Sequence, residues 1–218
     1  MHFLSNQKKY GQKKYGVWNL KYCCSCIAIF ILCLSFLSGC SFLHSPNNFR
    51  AKDFDEYKIK RVAVFPFYNR SNTMNAGEIV TKAFIGKLYD SGKFEIEFPG
   101  NVKKFIIGER IIIRKGIGAD HIKLIGKRLN VDAVIIGCVK KYESEGKKKN
   151  ARIPVISVDV RMIHTNSCSI LWIGQNYSRG DDYETIFGIG RIRSLSALSR
   201  KLVNELIDTI PITDQEVN

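Results

Sequence analysis

The sequence predicts an α/β (α+β) domain, a mixed sheet with helices packed on it in the order β-α-β-α-α-β-β-β-α. Three observations carry that prediction. Ile156, Val158, Val160 and Met162 alternate with Ser157, Asp159 and Arg161, the period of a strand with one buried face. Val131 to Val139 is almost continuously apolar, as in a strand covered on both sides. Leu195, Leu198, Leu202, Leu206 and Ile210 form the single stripe of an amphipathic helix.

The other elements follow in order. Arg61 to Phe67 reads as a buried strand with Pro66 near its end or on an edge. Tyr68 to Thr73 is a polar turn. Asn75 with Glu78 three residues later has the spacing of an N-cap. Ala76, Ile79, Val80, Ala83, Phe84 and Leu88 then recur at helical spacing until Gly92. Phe94, Ile96 and Phe98 alternate with Lys93, Glu95 and Glu97, a second strand with one face in water. Residues 101 to 113 are assigned to helix through Val102, Phe105 and Ile106, although two isoleucine-rich runs also suit a strand. Ile122, Ile125 and Leu129 mark a further helix. Glu143 to Asn150 is a charged turn. Thr165 to Cys168 is a tight turn into Ile170 to Ile173, the third strand of a meander.

Ahead of this domain the chain carries Lys8, Lys9, Lys13, Lys14 and Lys21 with no acidic residue, and then an uncharged run from Cys23 to Leu37 that ends in small residues. That order is the secretory signature. The run is too short for a ~30 Å hydrocarbon core, which takes roughly 20 apolar residues in a helix. Leu37-Ser38-Gly39-Cys40 resembles the lipobox of bacterial lipoproteins. The resemblance implies cleavage between Gly39 and Cys40, a diacylglyceryl group on the Cys40 thiol, and usually a further acyl chain such as palmitate on the new amino group. Ser41, rather than Asp, after the cysteine implies export to the outer membrane in well-studied families, with the inner membrane as the other option. Residues 1–39 are thus a signal peptide and 40–58 a lipidated cysteine and linker. Residues 59–212 are the periplasmic domain and 213–218 a tail. Residues 41 to 57 carry turn residues and reach at most ~58 Å fully extended.

Removal of 1–39 takes away five lysines, so 34 less 5 leaves 29 Lys and Arg against 20 Asp and Glu. A basic chain tethered to a membrane is held near anionic lipid or wall polymer. Export excludes nucleic acid as a partner. Of seven cysteines, only Cys138 and Cys168 remain free of the signal and the lipobox. With the hairpin centred near Lys148, Cys138 falls opposite about Asp159 and Cys168 some nine residues further along, beyond the ~7 Å reach of a disulfide.

Val62 to Phe67 with Asn69, Ala76 to Val80, Leu129 to Gly137, and Val158 to Ile163 ahead of Leu171-Trp172 together resemble the periplasmic domain of the curli secretion lipoprotein family. The same fold is associated with the lipoprotein activator of penicillin-binding proteins and the amino-terminal domain of the Tol-system translocation protein. The likeness covers residues 59 to 210, and such motifs mark fold more than activity. Curli secretion proteins build a pore from long hairpins. Here Tyr142 to Pro154 is short and holds Lys147, Lys148 and Lys149, which argues against a channel.

No catalytic set is legible. Gly86-Lys87 and Gly126-Lys127 lack the remaining residues of a phosphate-binding loop. Gly116-Ile117-Gly118 and Gly188-Ile189-Gly190 read as hinges. His44, His121 and His164 have no partner at metal spacing, and no cofactor motif is present. Asp181, Asp182 and Glu184 are read as satisfying a helix dipole, and Cys138 as a core residue. Asp159 and Arg161 share the polar face of a strand and are read as a salt-bridged surface or, in the sharper reading, a partner face. Arg179, Tyr183, Phe187, Arg191 and Arg193 mix arginine and aromatic side chains of the kind enriched in interfaces, and form the candidate partner-binding segment. Packing beneath the last helix is the alternative for its aromatics. The expectation is a non-enzymatic, lipid-anchored docking or assembly lipoprotein whose partners are an envelope protein or further copies of itself. The runner-up is a subunit or accessory ring of an oligomeric export channel, and an envelope hydrolase is remote.

Overall fold

A computed structural model describes residues 46–146, 152–185 and 189–212. Cys40, Gly39 and Phe187 lie outside the described residues. The strands are β1 (Asn47–Arg50), β2 (Arg61–Val64), β3 (Tyr68–Asn69), β4 (Glu95–Ile96), β5 (Ala133–Glu145), β6 (Ile153–His164) and β7 (Ile170–Arg179). The helices are α1 (Ala76–Ser91), α2 (Pro99–Gly108), α3 (Ala119–Leu129) and α4 (Leu195–Asp208). Short 3-10 turns stand at Phe54–Tyr57 and Ile113–Lys115. The expected order is present, with β1 added in front and β3 after β2.

The sheet runs β1-β7-β6-β5-β2-β4, with β3 also on β5. The strands β2, β3 and β4 pair in parallel and the β5-β6-β7-β1 meander is antiparallel, which makes the sheet mixed. Pro66 interrupts the ladder between β2 and β3, because it has no N–H to donate. Phe65 N still donates to Ile135 O at 2.9 Å and Arg70 N to Val139 O at 2.8 Å.

Two apolar clusters lie on opposite faces of the sheet. On one face α1 and α4 pack over the central part of β5, β6 and β7, burying Phe84, Leu88, Leu198, Leu202 and Leu206 against Val158, Val160, Met162 and Trp172. On the other, α2 and α3 cover only the β2/β5 corner, burying Phe105, Ile125 and Val131 against Ala63, Phe65 and Val134. Hence β5 is covered on both sides only in its first residues. Beyond them one side of the meander has no layer on it.

The segment 41–57, read as a linker, contains an edge strand: Asn47 pairs with Gln175 and Arg50 with Trp172, and Phe54 just after it is fully buried in the core. Asn75 does not cap α1. It sits in the left-handed region (φ 62°) with no side-chain cap bond, and Glu78 pairs instead with Lys82 at 2.7 Å. Asn is among the few residues that tolerate that backbone conformation, so the same residue type serves either role. The helix expected over 101–113 is Pro99–Gly108, followed by the 3-10 turn. β5 runs to Glu145, three residues into the charged turn expected at Glu143 to Asn150, and β6 begins at Ile153. Cys138 does pair in register with Asp159, and both cysteines are free.

Gly126 shows why a glycine stands in α3. A Cβ there would lie 2.6 Å from Thr165, whose hydroxyl donates to Val131 O and Asp132 O at 2.9 Å each. The threonine is pinned, so Gly126→Ala is expected to cost about 1–3 kcal/mol through overpacking, read as a lower urea midpoint. The gain in helix propensity, about 1 kcal/mol, is the smaller effect.

His164, at the end of β6, has its ring edge-on to Tyr57 at 4.7 Å and Nδ1 2.9 Å from Ser167 Oγ. Burial lowers its proton affinity, with Asp132 opposing. The folded value therefore lies below the unfolded one of about 6.5. Stability from this group is whole above that value and falls as pH drops through it, because the unfolded chain then binds the extra proton. Urea midpoints measured on both sides of that pH should show the slope in the native protein and a smaller one in His164→Gln.

Candidate docking faces

The arginine and aromatic segment begins where β7 ends. Arg179 is committed to carboxylates: Nη1 is 2.8 Å from Glu145 and Nε 3.1 Å from Asp181. These bonds, Asp181 foremost, hold the guanidinium firmly charged. Its backbone N–H donates to Asp182 at 2.6 Å. Glu184 lies 3.7 Å from Arg191. The acidic cluster thus braces the loop after β7. It does not serve a helix dipole, since α4 begins only at Leu195, where Ser194 Oγ accepts from Ala197 N at 3.2 Å.

Tyr183 is half-buried against the second half of α4. Its hydroxyl donates to Glu205 at 3.0 Å, and Asn176 Nδ2 donates to the same carboxylate at 3.0 Å. Burial pushes the Tyr183 hydroxyl up, well beyond the ordinary tyrosine range. Lys201 Nζ stands 5.5 Å over the ring. Of the five segment residues, Arg179 and Tyr183 tie the loop to β5 and α4, Arg191 pairs with Glu184 within the loop, and Arg193 is exposed and makes no ion pair with a described residue.

The second surface comes from β-sheet periodicity. Side chains at Val158, Val160 and Met162 enter the core, so Asp159 and Arg161 point to the other side. Registered pairing then places Ile136, Arg161, Ile173 and Phe49 in one row across four strands. The next row is Cys138, Asp159, Gln175 and Asn47, flanked on β3 by Tyr68. Phe49 is 52% exposed and Tyr177, two residues beyond Gln175, is 45% exposed. This is the side of the meander that no helix covers.

At its β5 end this face deepens into a cleft of about 250 Å³ between the sheet and the 3-10 turn. Ile136, Gly137 and Cys138 contribute its floor, and Arg70, Arg114, Arg161 and Lys140 stand around it. A bulge in β5 between Val139 and Lys141 leaves Lys140 outside the ladder, and its ammonium pairs with Asp159. Arg70, Arg114 and Arg161 are exposed and have no carboxylate partner among the described residues. Four cations face one carboxylate. Cys138, read from sequence as core, is half-buried at this cleft, and burial raises its thiol pKa. Among the described residues no three His, Cys, Asp or Glu side chains converge as metal ligands, and no helix is long and apolar enough to cross a membrane.

Sequence reasoning singled out Asp159 and Arg161 but missed Arg70, Arg114 and Lys140. These come from separate segments, β3's end, the 3-10 turn and the β5 bulge, and no local spacing links them.

No family model and no curated protein matches the chain by sequence. Solved structures do match its fold. PelC from Paraburkholderia phytofirmans, described as a dodecamer, superposes with a TM-score of 0.53 at 14% identity, over 75% of this chain and 94% of that one. Lipoprotein GNA1162 from Neisseria meningitidis superposes with a TM-score of 0.51 at 18% identity, over 69% of this chain and 99% of that one. The C-terminal domain of LpoB from Escherichia coli is more distant, with a TM-score of 0.41 at 14% identity over 55% and 82%. The domain therefore has the α+β fold of PelC and of lipoprotein GNA1162.

Proposed function

We propose that the protein is a lipid-anchored envelope lipoprotein, held by acyl chains on Cys40 to the periplasmic leaflet of the outer membrane, whose domain docks or assembles other proteins without catalysing a reaction. The observation that carries this reading is the junction between lipobox and fold. Cys40 is followed after only six residues by β1, which is hydrogen-bonded onto the sheet edge. Seven residue steps extend at most ~24 Å, so the domain works against its own membrane and cannot reach far across the envelope. The fold shared with lipoprotein GNA1162 supports the reading. So does the exposed Arg193 beside a braced arginine and aromatic loop, a surface suited to a protein partner.

A second reading is favoured by one observation, that PelC with the same fold is a dodecamer: the chain would then be one subunit of a ring accessory to export. Sedimentation of the detergent-extracted mature protein separates the two. A species of one chain mass supports an anchored docking domain, and a discrete large ring supports the second reading.

A further inference from the structure

The helix-free side of the meander is unlike an ordinary solvated sheet face, because the charges at its cleft end are lopsided, while Lys141 and Arg179 beyond it are balanced by Glu143 and Glu145, and because its aromatics stand out. Phe49, Ile173, Arg161 and Ile136 form one row of about three strand spacings, or ~14 Å. The cleft beside Ile136 adds Arg70 and Arg114, both exposed and without carboxylate partners among the described residues. Tyr177 lies on the same side, 45% exposed. Cations interspersed with aromatic and aliphatic side chains are the composition of a surface that sits in a headgroup layer: cations meet lipid phosphates, and rings lie at the level of the glycerol backbone.

The tether decides which partner this face meets. The chain enters the domain at β1, the edge strand that contributes Asn47 and Phe49 to this face. From Asn47 back to the cysteine that would carry the lipid is at most ~24 Å. The cleft arginine Arg161 is two strands from Phe49, or ~10 Å. The tether thus leads into the strand that carries Phe49, and an excess of basic over acidic residues in the chain beyond Gly39 acts in the same direction.

We infer that the uncovered face of the β1-β7-β6-β5 meander is the membrane-facing side of the domain, and that the Arg70, Arg114 and Arg161 cleft binds phosphate headgroups of anionic lipid in the leaflet that holds the anchor. This rests on the lipoprotein reading above for the identity of the tether. It leaves the helical layer of α1 and α4 turned away from the bilayer for protein partners.

The test uses the mature chain with its lipid, reconstituted into vesicles of phosphatidylcholine or of phosphatidylglycerol. Gln175→Cys places a thiol reporter on the face, and Lys82→Cys, on exposed α1, is the control. Maleimide labelling is read by peptide mass, so that Cys138 and Cys168 are counted separately. Labelling at 175 is expected to be about fivefold slower or more in phosphatidylglycerol, the factor that ~1 kcal/mol of headgroup attraction per basic residue gives. Labelling at 82 is expected to be equal in the two lipids. Combining Arg70→Gln, Arg114→Gln and Arg161→Gln should abolish the difference, and Arg161→Gln alone should reduce it if the triple variant does not fold. Equal rates at 175 in the two lipids overturn the inference, as does protection that follows protein concentration instead of lipid charge. The intact mass of the same sample separates this from the anchor. An acylated chain with equal rates removes the headgroup face and keeps the anchor. An unacylated chain shielded at 175 by added phosphatidylglycerol vesicles keeps the face and removes the anchor.

Discussion

Cys40→Ala is expected to remove the protein from the membrane fraction almost completely and to abolish incorporation of labelled palmitate. The magnitudes decide this. Acyl chains contribute ~0.8 kcal/mol per buried CH2, so two or three chains together give an attachment that one chain alone does not. The cationic face offers about 1 kcal/mol per basic residue near an anionic surface, and salt screens it. The anchor therefore dominates retention, and the face sets orientation. Fractionation of cells expressing the variant checks it, and a variant that stays wholly membrane-bound would contradict the role given to Cys40.

Trp172→Ala is expected to cost about 3–5 kcal/mol, the range for truncating a large buried aromatic. Trp172 is fully buried on β7, with its ring lying across Gly174 and beside Leu206 of α4. Domains of this size are stable by about 5–15 kcal/mol, so the variant should melt many degrees lower or populate the unfolded chain at ambient temperature. Trp172→Phe should be much milder. The indole N–H has no hydrogen-bond partner among the described residues, and removing it relieves a desolvated donor while most of the ring volume stays. Thermal unfolding of the pair separates lost packing from lost polarity. Equal destabilisation by Phe and Ala would show that the N–H finds a partner.

The elements legible in the sequence are those whose burial is periodic. The β6 alternation and the α4 leucine stripe both correspond to residues that enter the core, and the register that puts Cys138 opposite Asp159 followed from the position of one turn. β1 left no such trace: Asn47, Asn48, Phe49 and Arg50 are all exposed on an edge strand, so its pairing rests on backbone bonds that any residue can make. Glu143, Ser144 and Glu145 read as a turn in sequence because the strand there extends beyond the core and carries no apolar pattern. Asn75 shows the limit of a cap rule, since side-chain acceptor and left-handed tolerance reside in the same residue. The acidic residues at 181, 182 and 184 were legible as a cluster, but their arginine partners were not. Arg179 and Arg191 are brought to them by the fold of the loop.

The docking surfaces divide in the same way. Arg179, Tyr183, Arg191 and Arg193 are close in sequence and could be grouped by composition, yet their contacts show three of them bracing the loop after β7. Arg70, Arg114 and Arg161 are far apart in sequence and meet only because β3, the 3-10 turn and β6 converge at one end of β5. A cleft assembled from three segments has no linear signature. It becomes visible once the sheet order is known.

Lipid attachment at Cys40 is read directly from the intact mass of the mature protein extracted from membranes. A chain beginning at Cys40 and carrying a diacylglyceryl group, with or without a further acyl chain, is expected. A chain that still carries residues 1–39, or one that begins at Cys40 with no lipid, would contradict it.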